Sequence, residues 1–146
     1  MWSAFANQTI YLDSNIIIYA IERGYRQAHT MRAMLEAIDR RAFRAVTSEL
    51  TIAEVMSKPL ALNDLDHISK YERFFAPNSA LAIPAISRET LLLAARMQGS
   101  LGLKLFDSIH VATAQLEGCD CFLTEDERLG RAIAGETKWL KLSEVG

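Results

Sequence analysis

Four acidic residues stand at comparable places along this sequence. Asp13 follows the apolar run TIYL, Glu54 lies in TIAEV, Asp107 opens DSIHVATA, and Asp126 comes just after CFLT. Brought together, carboxylates repel one another: a pair about 4 Å apart loses roughly 1 kcal/mol in water and about 4 kcal/mol at the effective dielectric near a protein surface. A cluster of them therefore calls for a cation. Oxygen donors suit hard divalent ions such as Mg²⁺ or Mn²⁺, which acidify a water and stabilise charge on a phosphoryl oxygen, the two needs of phosphodiester hydrolysis. Each acid also has a local explanation. Asp13, Ser14 and Asn15 are turn and cap residues, Thr51 with Glu54 fits a capping box, Asp107 would stabilise a helix dipole, and Asp126 sits between Glu125 and Glu127 in a stretch that solvation would explain. The coincidence of all four favours chemistry.

Delivering these acids to one place requires strands that end together. In a parallel α/β sheet, ligands collect in the crevice outside the carboxyl ends of the strands. Residues 9–19 have the form of a short strand running into a helix, with Asp13 at the junction and Ser14 and Asn15 able to accept from the free N–H groups of the helix start. The helix continues over 15–22 and Gly24 turns the chain. Residues 26–43 carry Met31, Met34, Leu35 and Ile38 at helical spacing, and 45–47 form a short strand. Ser48 or Thr51 opens the helix that holds Glu54 and ends near Pro59. Over 63–75, Leu65, Ile68, Tyr71, Phe74 and Phe75 share a helical face. Residues 81–86 read as a strand that Pro84 sends to an edge or an irregularity, and Ser87 caps a helix over 89–98, after which Gly99 and Gly102 loosen the chain. In 105–117 the expected buried face is Phe106, Ile109, Ala112, Thr113 and Leu116. A strand over 119–124, a helix over 129–134 and a last strand over 138–142 complete the chain. This alternation predicts a three-layer α/β/α fold with a central, mostly parallel sheet of four to five strands.

Composition sets the outer bounds. With 146 residues, half of them hydrophobic, there is material for one domain over 1–146. Lys and Arg number 16 against 18 Asp and Glu, a net charge of -2, so bulk positive charge does not hold nucleic acid and any such binding is local. Cys119 and Cys121, separated by Asp120, are too few for a structural zinc site and wrongly spaced for a disulfide framework; they read as buried thiols of a reducing cytosol. The N-terminal stretch lacks the pattern of a signal peptide and no apolar run approaches bilayer length, so a soluble, cytoplasmic protein without a membrane partner is expected.

YLDSNIIIY, LTIAEV, FDSIHVATA and FLTEDERL together resemble the four acidic motifs of the PIN domain, in the form found in VapC-type toxins of bacterial toxin-antitoxin pairs. The resemblance covers nearly the whole chain, with the motifs in the family's order. It implies a PIN-like fold and a metal-dependent endoribonuclease that leaves a 5′-phosphate and a 3′-hydroxyl and is held inactive by a cognate antitoxin. Carried over residue by residue, Asp13, Glu54, Asp107 and Asp126 would bind Mg²⁺ or Mn²⁺, Ser14 and Asn15 would support Asp13, and Thr124 would place a water or ligand. The family's Thr, variable residue, Asp pattern selects Asp126 from its acidic neighbours. Where an aromatic is usual, this chain has Leu129, a departure that bears on packing.

His110 stands three residues beyond Asp107, on a neighbouring helical face. It could act as a general base, but a bound ion would already activate water, so a structural role is expected. His29 and His67 suggest no function. Lys104, one helical turn before Asp107, and Arg23, after the first helix, are candidates for guiding RNA phosphates, the ordinary alternative being solvated surface charge. Residues 26–43 and 63–75 could form a groove for an antitoxin segment or a homodimer contact, the ordinary alternative being core. Two rival readings differ in class. One is a phosphatase or phosphotransferase with Asp13 as nucleophile; haloacid-dehalogenase-like proteins place a second Asp two residues on, where this chain has Asn15. The other is a PIN-like binding module without catalysis, against which the presence of all four acids argues.

Overall fold

Four strands, β1 (Thr9–Leu12), β2 (Arg44–Val46), β3 (Cys121–Leu123) and β4 (Trp139–Leu140), pair in the order β2-β1-β3-β4, and every neighbouring pair is parallel. The computed structural model describes residues 2–22 and 28–145. Around the sheet run α1 (Ser14–Glu22), α2 (Ala28–Asp39), α3 (Glu49–Ala61), α4 (Leu65–Phe74), α5 (Arg88–Leu101), α6 (Leu105–Leu116) and α7 (Glu127–Ile133).

Successive strand residues face opposite sides, so the sheet divides two cores. Ile10, Leu12, Ala45 and Leu123 pack with Ile16 and Ile17 of α1, Met34 and Ile38 of α2, Val55 of α3 and Tyr71 of α4. Tyr11, Val46 and Phe122 pack on the other side with Met97 of α5, Val111 and Ala112 of α6, and Leu129 and Ile133 of α7. Burying each large aliphatic or aromatic side chain contributes about 1.5–3 kcal/mol, which makes these two layers the main support of the strands between them. The three-layer α/β/α arrangement is the one the sequence predicts.

Register places the site. Leu12 lies beside Leu123 and Tyr11 beside Val46, so Asp13, Thr124 and Thr47 leave the sheet at a common edge. The Asp13 N–H donates to Leu123 O at 3.0 Å, and Thr47 Oγ1 donates to Leu12 O at 2.8 Å. From β1 the chain crosses to β2 on one side, and from β3 it crosses to β4 on the other. The crevice between the ends of β1 and β3 is thus a topological switch point, where such sheets bind ligands.

Several local expectations need correction. Residues 81–86 contribute only an isolated parallel bridge, Ala82 against Val46 on the outer side of β2, because Pro84 lacks the N–H that would extend the ladder. Helix α3 runs through Pro59 to Ala61: a proline forfeits its own bond to the preceding turn, and the chain is closed beyond it by Leu62 N–H on Lys58 O and Asp64 N–H on Pro59 O. Helix α5 likewise continues past Gly99 and stops at Gly102, whose φ of +67° suits glycine. Phe106 and Leu116 are exposed rather than on a buried face of α6, as is Leu65 on α4. Twelve helical residues extend about 18 Å, whereas a three-residue strand extends about 10 Å, so the ends of α6 overhang the sheet while residues 108–114 are buried on every side. Gly24 and the first residues of the helix read over 26–43 lie outside the described residues.

Candidate active site

Asp13, at the tip of β1, is buried, and both of its carboxylate oxygens are engaged. Oδ1 accepts the Ser14 N–H at 2.9 Å; Oδ2 accepts Thr124 Oγ1–H at 2.7 Å and Asn15 Nδ2–H at 3.3 Å. Ser14 and Asn15 do not spend their side chains on capping α1. Ser14 Oγ donates to Glu54 Oε1 at 2.7 Å, while Asn15 also donates to Thr124 Oγ1 and accepts the Glu125 N–H. The tripeptide therefore ties β1 to α3 on one side and to the segment after β3 on the other.

Glu54 is not part of a capping box. Ser48 is the N-cap of α3, accepting from Leu50 N–H, and Thr51 pairs with Thr47 through their hydroxyls at 2.7 Å. One turn on, Glu54 meets His110 Nε2 at 2.5 Å. The imidazole of His110 is fully buried; its Nδ1 lies 2.5 Å from the Tyr11 hydroxyl, which also accepts the Ser48 N–H at 3.0 Å. Nε2 is 3.4 Å from Ser14 Oγ and 3.9 Å from Asp13 Oδ1, so the ring stands between two carboxylates. Burial disfavours charge on Glu54, yet the hydrogen bond and charge of His110, with the Ser14 hydrogen bond, carry its pKa below the ordinary value. Burial likewise opposes the imidazolium, and the hydrogen bond to Glu54 with the charges of Asp13, Glu54 and Asp107 raises His110 above its ordinary value.

Asp107, in the first turn of α6, and Asp126 line a cavity of about 140 Å³ together with Lys104, Arg128 and Leu129. Asp126 is the N-cap of α7, accepting the Leu129 N–H at 3.1 Å, while its own N–H donates to Thr124 Oγ1 at 3.0 Å. Its acidic neighbours turn elsewhere: Glu125 accepts the Leu142 N–H, and Glu127 pairs with Lys141 and Arg131 on the surface. Burial and then the charges of Asp13 and Asp126 raise the carboxyl of Asp107, with Lys104 and His110 opposing. Asp13 is raised by burial first and further by Glu54, against the charge of His110 and the hydrogen bonds of Thr124 and Ser14. Asp13, Asp107 and Asp126 thus share one electrostatic environment, and Asp13 and Glu54 share His110. Among the described residues no three acids converge tightly enough to form a ready-made metal cluster.

Of the remaining candidates, Lys104 is the N-cap residue of α6 beside Asp107, and Arg23 lies outside the described residues. His67 pairs with Asp64 at the start of α4, and His29 is exposed on α2. Burial pushes the thiols of Cys119 and Cys121 up to about 12 and about 11, where they are unreactive. His110, expected to be structural, is buried with both ring nitrogens partnered, one of them by the candidate acid Glu54. Its signal was a polar ring inside the otherwise small and apolar run IHVATA.

The donors at this edge are carboxylate and hydroxyl oxygens without a thiolate, the one imidazole being taken up by Glu54 and Tyr11; Asp13 is held above its ordinary pKa by burial and Glu54, and Asp107 by burial, Asp13 and Asp126. Such a set fits Mg²⁺ or Mn²⁺ better than zinc. A family model described as the PIN domain matches residues 10–134. No curated protein matches the sequence. Among solved structures, a toxin-antitoxin complex from Klebsiella pneumoniae is similar at 22% identity and a TM-score of 0.65, over 91% of this chain and 97% of that one. VapBC2 from Rickettsia felis, bound to a DNA fragment from its promoter, is similar at 16% identity and a TM-score of 0.73, over 91% and 98%. FitAcB from Neisseria gonorrhoeae is similar at 19% identity and a TM-score of 0.68, over 92% and 98%.

Proposed function

This chain belongs to the PIN-domain family, and on that premise we propose that it is a divalent-metal-dependent endoribonuclease, the toxin of a toxin-antitoxin pair. The observation that carries the reading is that the carboxyl of Asp107 is raised by burial and by the charges of both Asp13 and Asp126, while Asp13 is itself raised by burial and by Glu54. Carboxylates in that condition gain most from a cation. Asp13, Asp107 and Asp126 would hold Mg²⁺ or Mn²⁺, with Glu54 completing the set from α3. When bound, the ion supplies an acidified water and stabilises charge on the phosphoryl oxygen.

The chain's own residues do the positioning. Thr124 and Asn15 fix Oδ2 of Asp13, and the Ser14 N–H fixes Oδ1. The capping bond to Leu129 N–H orients Asp126 toward the cavity it shares with Asp107. Lys104 and Arg128 on the same cavity supply the local positive charge that the net charge of -2 withholds, placing a phosphate of the RNA strand beside the acids. An Asp13 nucleophile is disfavoured, because the position two residues on, where an acid-base Asp would be needed, holds Asn15, which is bonded to Thr124.

The antitoxin would lie in a groove between α1, α2 and α4. Ala20, Ile21, Leu35 and Phe74 line it with Asp39, Lys70 and Arg73, a mixture that suits an amphipathic helix. The similar structure from Klebsiella pneumoniae is a toxin-antitoxin complex, which supports the same kind of partner. A homodimer and a cytoplasmic location complete the proposal; no described helix is long and apolar enough to cross a membrane.

The test is cleavage of a defined RNA by purified protein freed of antitoxin, with Mn²⁺ and with chelator, for wild type and for Asp13→Asn, Asp107→Asn and Glu54→Gln. Cleavage that chelator abolishes and each variant lowers by orders of magnitude is expected. Activity that survives in all three variants overturns the proposal.

A further inference from the structure

We infer that His110 is a positioning residue for Glu54, and that a buried relay from Tyr11 through His110 aims the Glu54 carboxylate at the ion-binding edge. The inference rests on the metal-dependent reading above. Its evidence is geometric. A histidine within the buried stretch 108–114 of α6 must find partners for both ring nitrogens, since an unpaired polar group in that position is strongly disfavoured. Both are supplied at 2.5 Å, Nδ1 by the Tyr11 hydroxyl and Nε2 by Glu54 Oε1. Tyr11 is itself immobilised: its ring stacks on Phe122 with centroids 4.9 Å apart, and its oxygen accepts the Ser48 N–H.

The relay therefore begins at the N-cap of α3 and returns to the same helix at Glu54, passing through β1 and α6 on the way. Helix α3 is held at two points six residues apart by groups that belong to the sheet and to α6. Glu54 is the member of this network on a long, rotatable stem, and besides His110 it accepts a hydrogen bond from Ser14 Oγ at 2.7 Å. Ser14 alone leaves the carboxylate free to swing toward solvent. A side chain that only filled core volume at position 110 would need neither nitrogen placed at a carboxylate and a phenol. Partners of this kind, one bond removed from a metal-binding carboxylate, commonly change metal affinity by about 10–100-fold when removed.

The experiment measures Mn²⁺ affinity calorimetrically in the absence of RNA, on the full chain, for wild type, His110→Leu, His110→Gln, Tyr11→Phe, Glu54→Gln and the double variant His110→Leu/Glu54→Gln. His110→Leu keeps the volume and loses both nitrogens, and is expected to weaken Mn²⁺ binding about tenfold or more. His110→Gln retains an N–H for Glu54 and should recover part of that loss; Tyr11→Phe should weaken binding several-fold. Because His110 acts through Glu54, the double variant should bind as Glu54→Gln does, a non-additivity that a core-filling histidine would not produce. A folded His110→Leu protein that binds Mn²⁺ as tightly as wild type overturns the inference alone. If that variant does not fold, undiminished binding by both Tyr11→Phe and His110→Gln overturns it. Wild type that binds no Mn²⁺ overturns the parent reading and this one together.

Discussion

Asp13→Asn separates what the fold needs from what the ion needs. The carboxyl of Asp13 is 6% exposed and raised above its ordinary pKa, by burial first and then by Glu54, even against His110, Thr124 and Ser14. A carboxyl raised in the folded state contributes stability only while protonated, and that contribution disappears as pH climbs through the raised value. At pH 7.5 in chelator the wild type thus carries an unfavourable buried charge. Asn preserves the shape but turns one acceptor oxygen into a donor, a loss of about 1 kcal/mol for one hydrogen bond. Against this, neutralisation relieves first the burial of the charge and then its repulsion with Glu54, a like-charge pair being worth about 1–4 kcal/mol between bulk water and the dielectric near a protein surface. The metal-free variant should therefore be more stable by up to roughly 3 kcal/mol, which at this chain length raises Tm by up to roughly 6–12 °C. Adding Mn²⁺ at about a hundred times Kd stabilises wild type by about 2.7 kcal/mol, roughly 5–11 °C, and leaves the variant unmoved. Thermal melts by circular dichroism should show the variant above wild type in chelator, with the order narrowed or inverted in Mn²⁺. A metal-free variant that melts well below wild type, or an equal Mn²⁺ shift in both, refutes the reasoning.

The Glu54–His110 pair predicts a pH window for the metal-free protein. Glu54, lowered from 4.5, contributes stability above that value and loses it as pH falls through the lowered one; His110, raised from 6.5, contributes below that value and loses it as pH rises through the raised one. Melts across pH in chelator should decline at both ends, and His110→Leu should remove the part of the alkaline decline that belongs to His110; an unchanged profile counts against the pair. Gly130→Ala should lower Tm, because a Cβ on α7 would overlap the Trp139 indole of β4; overpacking of that kind costs about 1–3 kcal/mol, and cleavage measured below Tm should persist. Arg73→Glu, which reverses charge in the groove of α1, α2 and α4, should weaken binding of a cognate antitoxin at least tenfold by calorimetry without changing RNA cleavage.

The acids and the parallel sheet were legible because short apolar runs ending in Asp or Thr mark strand tips, and period-2 burial in Ile10, Tyr11 and Leu12 follows from strand geometry. What escaped the sequence was long-range pairing. Nothing local tells that Ser14 turns to Glu54 forty residues away, or that Thr51 joins Thr47 instead of capping a helix with Glu54. The partners of His110 were hidden for the same reason: Tyr11 and Glu54 lie 99 and 56 residues away. The exposed ends of α6 were misjudged because helical periodicity predicts a face and carries no information about how short the underlying strands are. Pro59 and Gly99 were read as breaks, but tertiary burial of α3 and α5 outweighs their local cost.

Anomalous diffraction from a crystal soaked in Mn²⁺ tests the central claim most directly. The account predicts a peak in the crevice between the ends of β1 and β3, at about 2.0–2.3 Å from carboxylate oxygens of Asp13 and Asp107, with Asp126 or Glu54 in the same shell or one water removed. Mn²⁺ bound only elsewhere, with Asp13 and Asp107 unshifted and free of it, would contradict the account.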